Sequence, residues 1–296
     1  MHNLNYYLKL LVKTKVFEGI LNQGNNMIDK AELVFIGLGL FDEKDISVKG
    51  LEEIKSSEKI FAEFYTSKLV GSDISKLEKL FAKKITILNR EETEKGDLIL
   101  ESAEKQKTAF ITAGDSMTAT THVDLRIRAI KKGIQTKVIH SSSIVTAVSG
   151  LLGLQNYKFG RTTTLAYPEK NYFPTSPYDI ISKNKKIGLH TLVLLDIQQD
   201  KNRYMTANQG LELLLKMEEK EKKAIIKSDT IACVISNAGS DKCIVRSDTI
   251  KNLINTDFGS GLHSIVIPGP LHFMEIEALE ILAHLPAQQV RKIQKL

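Results

Sequence analysis

Short apolar runs that alternate with helix-forming stretches constrain this chain more than any other feature. From Glu32 onward, runs such as residues 33–36 and 108–111 read as buried strands that end at glycine and small polar residues. Each is followed by apolar residues at helical spacing, and Ser47 is placed to cap the first such helix. This alternation is typical of α/β proteins with mainly parallel sheets.

The predicted strands form two series, separated by the proline- and glycine-containing segment 157–177. We therefore expect two α/β domains, covering residues 28–155 and 156–296. The strands are predicted at 33–36, 59–64, 84–88, 108–111 and 136–140, and then at 163–167, 191–196, 230–236 and 264–267.

Residues 1–27 lack this alternation. Their apolar residues have the spacing of a short amphipathic helix, but they carry no signal-peptide or transit-peptide pattern. We expect an extension outside the fold, with Met27 as an alternative start, and consider a functional anchor the less favoured reading.

Composition excludes several classes of protein. No apolar run reaches 18 residues, so we expect no membrane span. The net charge of +6 is concentrated near the two ends, and no basic patch interleaves with aromatic residues, so we expect no direct binding of nucleic acid. Cys233 and Cys243 form no disulfide or zinc pattern, and the histidines lack metal-ligand spacing. These features predict a cytoplasmic protein without a metal.

The first strand ends at Gly37-Leu-Gly39, which invites comparison with the dinucleotide-binding fingerprint. The third glycine of that fingerprint is missing, because Asp42 stands in its place and would repel a pyrophosphate. A nicotinamide-dependent oxidoreductase is therefore disfavoured. A tight turn and a close approach of the backbone to a ligand both stay open.

Three further positions at strand ends are candidate ligand contacts. Asp115 or Ser116 could cap the helix that follows, or present a carboxylate to a positively charged ligand. Ser143 reads as a helix cap after the fifth strand. His263 precedes the last predicted strand. It could be a histidine with satisfied hydrogen bonds at the edge of the sheet, or it could contact a ligand.

Taken together, these loops resemble the diphthine synthase family of the tetrapyrrole methylase-like superfamily. The resemblance runs from about residue 32 to 280. It rests on the segments FIGLGL (35–40), DISVKGL (45–51), AEFYTS (62–67), ATTH (119–122), LRIRA (125–129), AYPE (166–169), FPTS (173–176), GLHT (188–191), LDI (195–197) and YMTAN (204–208).

The resemblance implies two α/β domains, usually in a homodimer, with S-adenosylmethionine in the cleft between them and S-adenosylhomocysteine as a product. It implies methylation of the amino group of a modified histidine on translation elongation factor 2, a step of diphthamide biosynthesis. Members of the archaeal type trimethylate this group, and segment 166–176 looks more archaeal.

The family's cofactor contacts can be carried over position by position, whereas no dedicated base can be named. Tyr65 and His122 are candidates for the base on the acceptor side. The second loop of the family usually contains two prolines, here replaced by Ala113 and Ser116, which we expect to loosen it. The cofactor contacts implied are Leu40, Asp115, Thr118, Ser143, Ile144, Leu195, Ala238 and His263.

Two alternatives remain at this point. The chain could be another methylase of the superfamily that acts on a tetrapyrrole or on RNA. It could also be a non-catalytic binding module on the same fold, for which the loss of the two loop prolines is slight support.

Overall fold

The computed structural model describes residues 31–65, 67–169 and 172–294, so the predicted extension at 1–27 lies outside the described residues. Within the described part, two five-stranded sheets and a two-stranded hairpin are present. The strands are β1 (Glu32–Gly37), β2 (Lys59–Glu63), β3 (Thr86–Leu88), β4 (Lys107–Thr112), β5 (Gln135–Ile139), β6 (Thr163–Leu165), β7 (Thr191–Leu195), β8 (Ile197–Gln198), β9 (Arg203–Tyr204), β10 (Ile231–Ser236), β11 (Ile244–Thr249) and β12 (His263–Ile267).

Most strands are followed by helices, as the alternating pattern predicts. Ser47 caps the first helix by accepting a hydrogen bond from the Gly50 N–H at 3.0 Å, which confirms that prediction. The helices are α1 (Val48–Ser56), α2 (Ile74–Phe81), α3 (Arg90–Lys95), α4 (Asp97–Ala103), α5 (His122–Lys131), α6 (Ile144–Leu152), α7 (Ser176–Lys186), α8 (Ala207–Glu221), α9 (Ile250–Leu253), α10 (Phe273–Leu282) and α11 (Ala287–Gln294).

The first sheet is parallel throughout, in the order β3-β2-β4-β1-β5. Its central strands are apolar on both faces because helices cover both. Ile54 of α1 packs on one face with Val34, and Ile99 of α4 packs on the other with Phe35. Burial on both faces is what a parallel sheet requires, and the prediction is confirmed here.

The second sheet, in the order β11-β10-β12-β7-β6, is mixed, so the prediction of a mainly parallel sheet is wrong for this half. Strand β10 pairs antiparallel with β11 and β12, β12 pairs antiparallel with β7, and only β6 and β7 are parallel. The cause is β11, a strand that the pattern did not reveal. It follows β10 after residues 237–243, a connection too short for a parallel crossover.

Helix α6 links the two sheets. It follows β5 of the first sheet, yet Val148 and Leu152 are buried in the cluster that contains Leu192 of β7 and Val266 of β12. The helix thus packs on the second sheet, while the domain boundary at residue 155 stays a prediction. None of the described helices is long and apolar enough to cross a bilayer.

Candidate active site

A cavity of about 290 Å³ lies between the loops at the carboxyl edge of the first sheet and the facing edge of the second. Its volume lies just below the range typical of ligand pockets, about 300–1,000 Å³. All eight predicted contact residues line this one cavity: Leu40, Asp115, Thr118, Ser143 and Ile144 from the first half, and Leu195, Ala238 and His263 from the second.

His263 reaches the cavity because β12 runs against its neighbours. Leu195 ends β7 and Ala238 follows β10, so both lie at carboxyl ends of strands. His263 begins β12, and an antiparallel strand brings its amino end to that same edge. The strand direction that the sequence did not predict is therefore what places this histidine in the site.

Asp115 lines the cavity and accepts hydrogen bonds on both of its carboxylate oxygens. One oxygen accepts from the Met117 N–H at 2.9 Å and from the Thr118 hydroxyl at 3.2 Å. The other accepts from His140 Nδ1 at 2.9 Å and from the Ser141 N–H at 3.1 Å. Burial raises the pKa of Asp115, but these hydrogen bonds outweigh it and leave the pKa below its usual value.

Neither Asp115 nor Ser116 caps the next helix, so the first of the two alternatives that the sequence left open for this loop is wrong. Helix α5 begins only at His122, and its N-cap residue, Thr121, makes no side-chain cap. The Asp115 carboxylate instead ties the loop after β4 to the start of the loop after β5. Ser143, by contrast, caps α6 by accepting from the Val145 N–H at 3.3 Å, as predicted.

The glycine turn after β1 cannot cradle a phosphate, because its N–H groups are already used. Gly39 and Gly114 exchange hydrogen bonds at 3.2 and 2.7 Å, and both have positive φ. The N–H groups of Leu40 and Phe41 both donate to Asp45 Oδ2, at 3.1 and 2.6 Å. This geometry agrees with the exclusion of a dinucleotide site, which needs free N–H groups. Asp45 lies in one of the segments that carry the family resemblance, but its role in this turn was not predicted from the sequence.

Two observations test whether the cavity fits a cationic ligand such as S-adenosylmethionine. A Cβ on Gly114 would meet no protein atom within 4 Å, so the glycine leaves open space where it borders the cavity. Among the described lining residues, two carboxylates, Asp115 and Asp196, stand against one guanidinium, Arg90. This excess of negative charge suits a ligand that carries a sulfonium. The apolar side chains of Leu40, Ile144 and Leu195 suit the apolar parts of a nucleoside.

His263 supplies a neutral ring to this lining. Its Nδ1 accepts a hydrogen bond from the Ala207 N–H at 3.0 Å, which assigns the proton of the neutral ring to Nε2. Burial lowers the pKa of His263 and keeps the ring uncharged near neutral pH.

The two candidate bases differ in whether they line the cavity. Tyr65 lines the cavity, but desolvation and the charge of Glu63 raise its pKa to about 12, so it is a phenol at neutral pH. His122 is 2% exposed, does not line the cavity, and places Nδ1 2.8 Å from the Ser116 carbonyl. Its Nε2 lies 3.6 Å from Glu63, and burial lowers its pKa.

Arg90 is the main lining residue that sequence reasoning missed. It opens α3, just beyond the carboxyl end of β3, and its guanidinium carbon lies 5.4 Å from the centre of the Tyr65 ring. The available signal was its place directly after a predicted strand. Among the residues that the structure describes, no group of three potential ligands could hold a metal ion, and the expectation of no metal stays a prediction.

Comparison with known proteins identifies the family. The profile of the Tetrapyrrole (Corrin/Porphyrin) Methylases matches residues 32–254. The diphthine synthase of Methanococcus maripaludis (strain C6) is 51% identical over 251 residues, which covers 84% of this chain and 98% of that protein. The diphthine synthase of Methanocaldococcus jannaschii is 51% identical over 253 residues, with the same coverage. A crystal structure of diphthine synthase superposes with a TM-score of 0.80 at 38% identity, covering 88% of this chain and 99% of that one. The chain therefore belongs to the diphthine synthase family of the tetrapyrrole methylases.

Proposed function

We propose that this chain is a methyltransferase that moves methyl groups from S-adenosylmethionine to the amino group of the modified histidine of translation elongation factor 2. The observation that carries the proposal is that all eight residues expected to contact the cofactor line one and the same cavity. It is supported by relatives named diphthine synthase that share about half of their residues with this chain over nearly their full length.

The residues of the chain would hold the cofactor from both sheets. Leu40, Ile144 and Leu195 would pack against its apolar parts, and the loop fixed by Asp115 would form part of the wall around it. Bound S-adenosylmethionine supplies a methyl group that is already activated by its sulfonium.

The main work of the protein is then alignment and exclusion of water. Holding two reactants in line can lower a barrier by about 7–11 kcal/mol in the best cases. The acceptor amine must also be neutral, and an amine pKa one unit above the ambient pH costs about 1.4 kcal/mol. Because Tyr65 stays protonated at neutral pH, it is suited to donate a hydrogen bond and not to remove the proton.

The finer properties belong to the same proposal. We propose trimethylation as the outcome, a homodimer as the assembly, the cytoplasm as the location and the boundary at residue 155 as the division between domains. Their support is the likeness to the family.

A mass measurement tests the proposed reaction. Elongation factor 2 that carries the unmethylated aminocarboxypropyl histidine would be incubated with the protein and S-adenosylmethionine, and then weighed intact. We expect a gain of three methyl groups on that residue. No gain would contradict the proposal, and methylation of a tetrapyrrole or an RNA under the same conditions would favour the alternative.

A further inference from the structure

The cavity has two sides, and the residues expected to contact the cofactor lie on only one of them. Those contacts follow β1, β4 and β5 or come from the second sheet. The loops after β2 and β3 line the other side, with Tyr65, Ser67, Val70 and Arg90. The strand order puts β3 and β2 together at one edge of the first sheet, away from β1 and β5. This edge is where a second reactant can approach.

Arg90 dominates the charge on this side. Among the described residues that line the cavity, it is the one lysine or arginine. The cavity carboxylates are engaged elsewhere, since Asp115 accepts four hydrogen bonds and Asp196 accepts from the Tyr167 N–H at 3.0 Å.

The guanidinium of Arg90 is oriented by the Tyr65 ring and can exchange its present ion-pair partner for a ligand. Its carbon lies 5.4 Å from the centre of the Tyr65 ring, within the range of a cation–π contact. Its ion-pair partner is Glu94, at 3.4 Å, and the two side chains are 73% and 56% exposed. Such an exposed pair contributes little energy, so a carboxylate of a substrate can displace it.

The acceptor under the proposed function ends in an amino group and a carboxylate on the same carbon. We propose that Arg90 binds this carboxylate and so sets the position of the amine for methyl transfer. The planar guanidinium can make two parallel hydrogen bonds to a carboxylate, which fixes orientation as well as distance. This inference rests on the proposed function, because it requires that acceptor.

The same pairing favours the neutral amine. A free carboxylate beside an ammonium group stabilises the positive charge of the ammonium and raises the pKa of the amine. Neutralising the carboxylate with a guanidinium removes that stabilisation and adds a nearby positive charge. Arg90 thus helps the amine to lose its proton without acting as a base.

Arg90→Gln, Arg90→Lys and Arg246→Gln form a matched set for the test. Arg246 lies exposed on β11 and outside the cavity lining, so its variant controls for the loss of a surface arginine. The readouts are KM and kcat for elongation factor 2 bearing the unmethylated intermediate, and the Kd of S-adenosylhomocysteine by calorimetry.

For Arg90→Gln we expect KM for the acceptor to rise by about 10- to 100-fold, from the loss of charged hydrogen bonds. The Kd of S-adenosylhomocysteine should stay within about twofold of the value for Arg246→Gln, because Arg90 is proposed to contact the acceptor and not the cofactor. A tenfold change in this Kd would correspond to about 1.4 kcal/mol of lost binding free energy. Arg90→Lys should lie between, because it keeps the charge and loses the planar fork. The acid limb of the kcat profile should move to higher pH in Arg90→Gln, a shift that a merely structural role would not produce.

Two results would overturn the inference. One is an unchanged KM for the acceptor in Arg90→Gln while the wild type turns over. The other is a parallel loss of S-adenosylhomocysteine affinity, which would assign Arg90 to the carboxylate of the cofactor. A wild-type protein that does not methylate the factor would contradict both this inference and the proposed function, whereas the first two results contradict this inference alone.

Discussion

Two buried carboxylates in this protein, Asp115 and Glu275, have similar partners and different surroundings. Both accept two backbone N–H groups and a histidine, and both have a pKa below the usual value. Asp115 borders the cavity between the sheets, whereas Glu275 lies on α10, outside the cavity lining. A depressed pKa thus identifies a carboxylate whose charge is well stabilised, and only the location of that carboxylate makes it a candidate for function.

Glu275 joins three distant segments of the chain. Its oxygens accept from the Gln155 N–H and the His272 N–H, both at 2.9 Å, from His190 Nε2 at 2.9 Å and from Lys158 Nζ at 2.5 Å. Burial raises the pKa of Glu275, but these partners outweigh it and lower the pKa to about 2. The cluster ties the connection between the sheets to the C-terminal helices.

The largest expected effect is on stability. Glu275→Ala should lower the free energy of unfolding by about 3–5 kcal/mol, because it strands the buried partners of an ion pair. Urea denaturation measures it, and Glu277→Ala, on the exposed face of α10, is the control. A loss equal to that of the control would mean that the Glu275 cluster does not hold the fold together.

The same cluster predicts a pH dependence. The folded pKa of Glu275 is depressed to about 2 from 4.5, so its contribution to stability is complete above pH 4.5 and is lost as the pH falls through about 2. The stability difference between the wild type and Glu275→Gln should therefore shrink across this window. A difference that stays constant from pH 5 to pH 2 would contradict the assignment.

Asp115→Asn should weaken ligand binding and so distinguish the role of Asp115 from that of Glu275. An amide cannot accept from donors on both of its atoms, so at least one buried hydrogen bond is lost, at about 1–3 kcal/mol. We expect a rise in the Kd of S-adenosylhomocysteine of about tenfold or more, by calorimetry. Asp124→Asn, exposed on α5, serves as the control. An unchanged Kd would make Asp115, like Glu275, a residue of stability alone.

The smallest effect is expected at Tyr65. Tyr65→Phe keeps the ring beside Arg90 and removes a phenol that is protonated at neutral pH. We expect kcat for the acceptor to fall by less than about threefold, whereas loss of a general base typically costs 10²–10⁴-fold. A loss in that larger range would restore Tyr65 as the base.

The sequence predicted the first half of the fold better than the second, for physical reasons. Apolar runs buried on both faces identify a parallel sheet without further information. Strand β11 contains Arg246, Ser247 and Asp248, so its pairing depends on β10 and not on its own pattern. Missing it led to the wrong strand directions in the second sheet.

The candidate site was predictable residue by residue only through family likeness. The local pattern alone identified the strand ends near Gly39, Asp115, Ser143 and His263, but not which of them meet across the cavity. Asp45 acts by accepting from Leu40 and Phe41 within a folded turn, and Arg90 reads as an exposed i, i+4 partner of Glu94. Both roles arise from tertiary contacts that no local pattern encodes.

A crystal structure with S-adenosylhomocysteine tests the central claim most directly. We predict that the ligand lies in the cavity between the sheets, in contact with Leu40 and the Asp115 loop on one side and with Leu195 and Ala238 on the other. The edge formed by Tyr65 and Arg90 should remain free for the acceptor. A ligand bound outside this cavity, or held by one sheet only, would contradict the account.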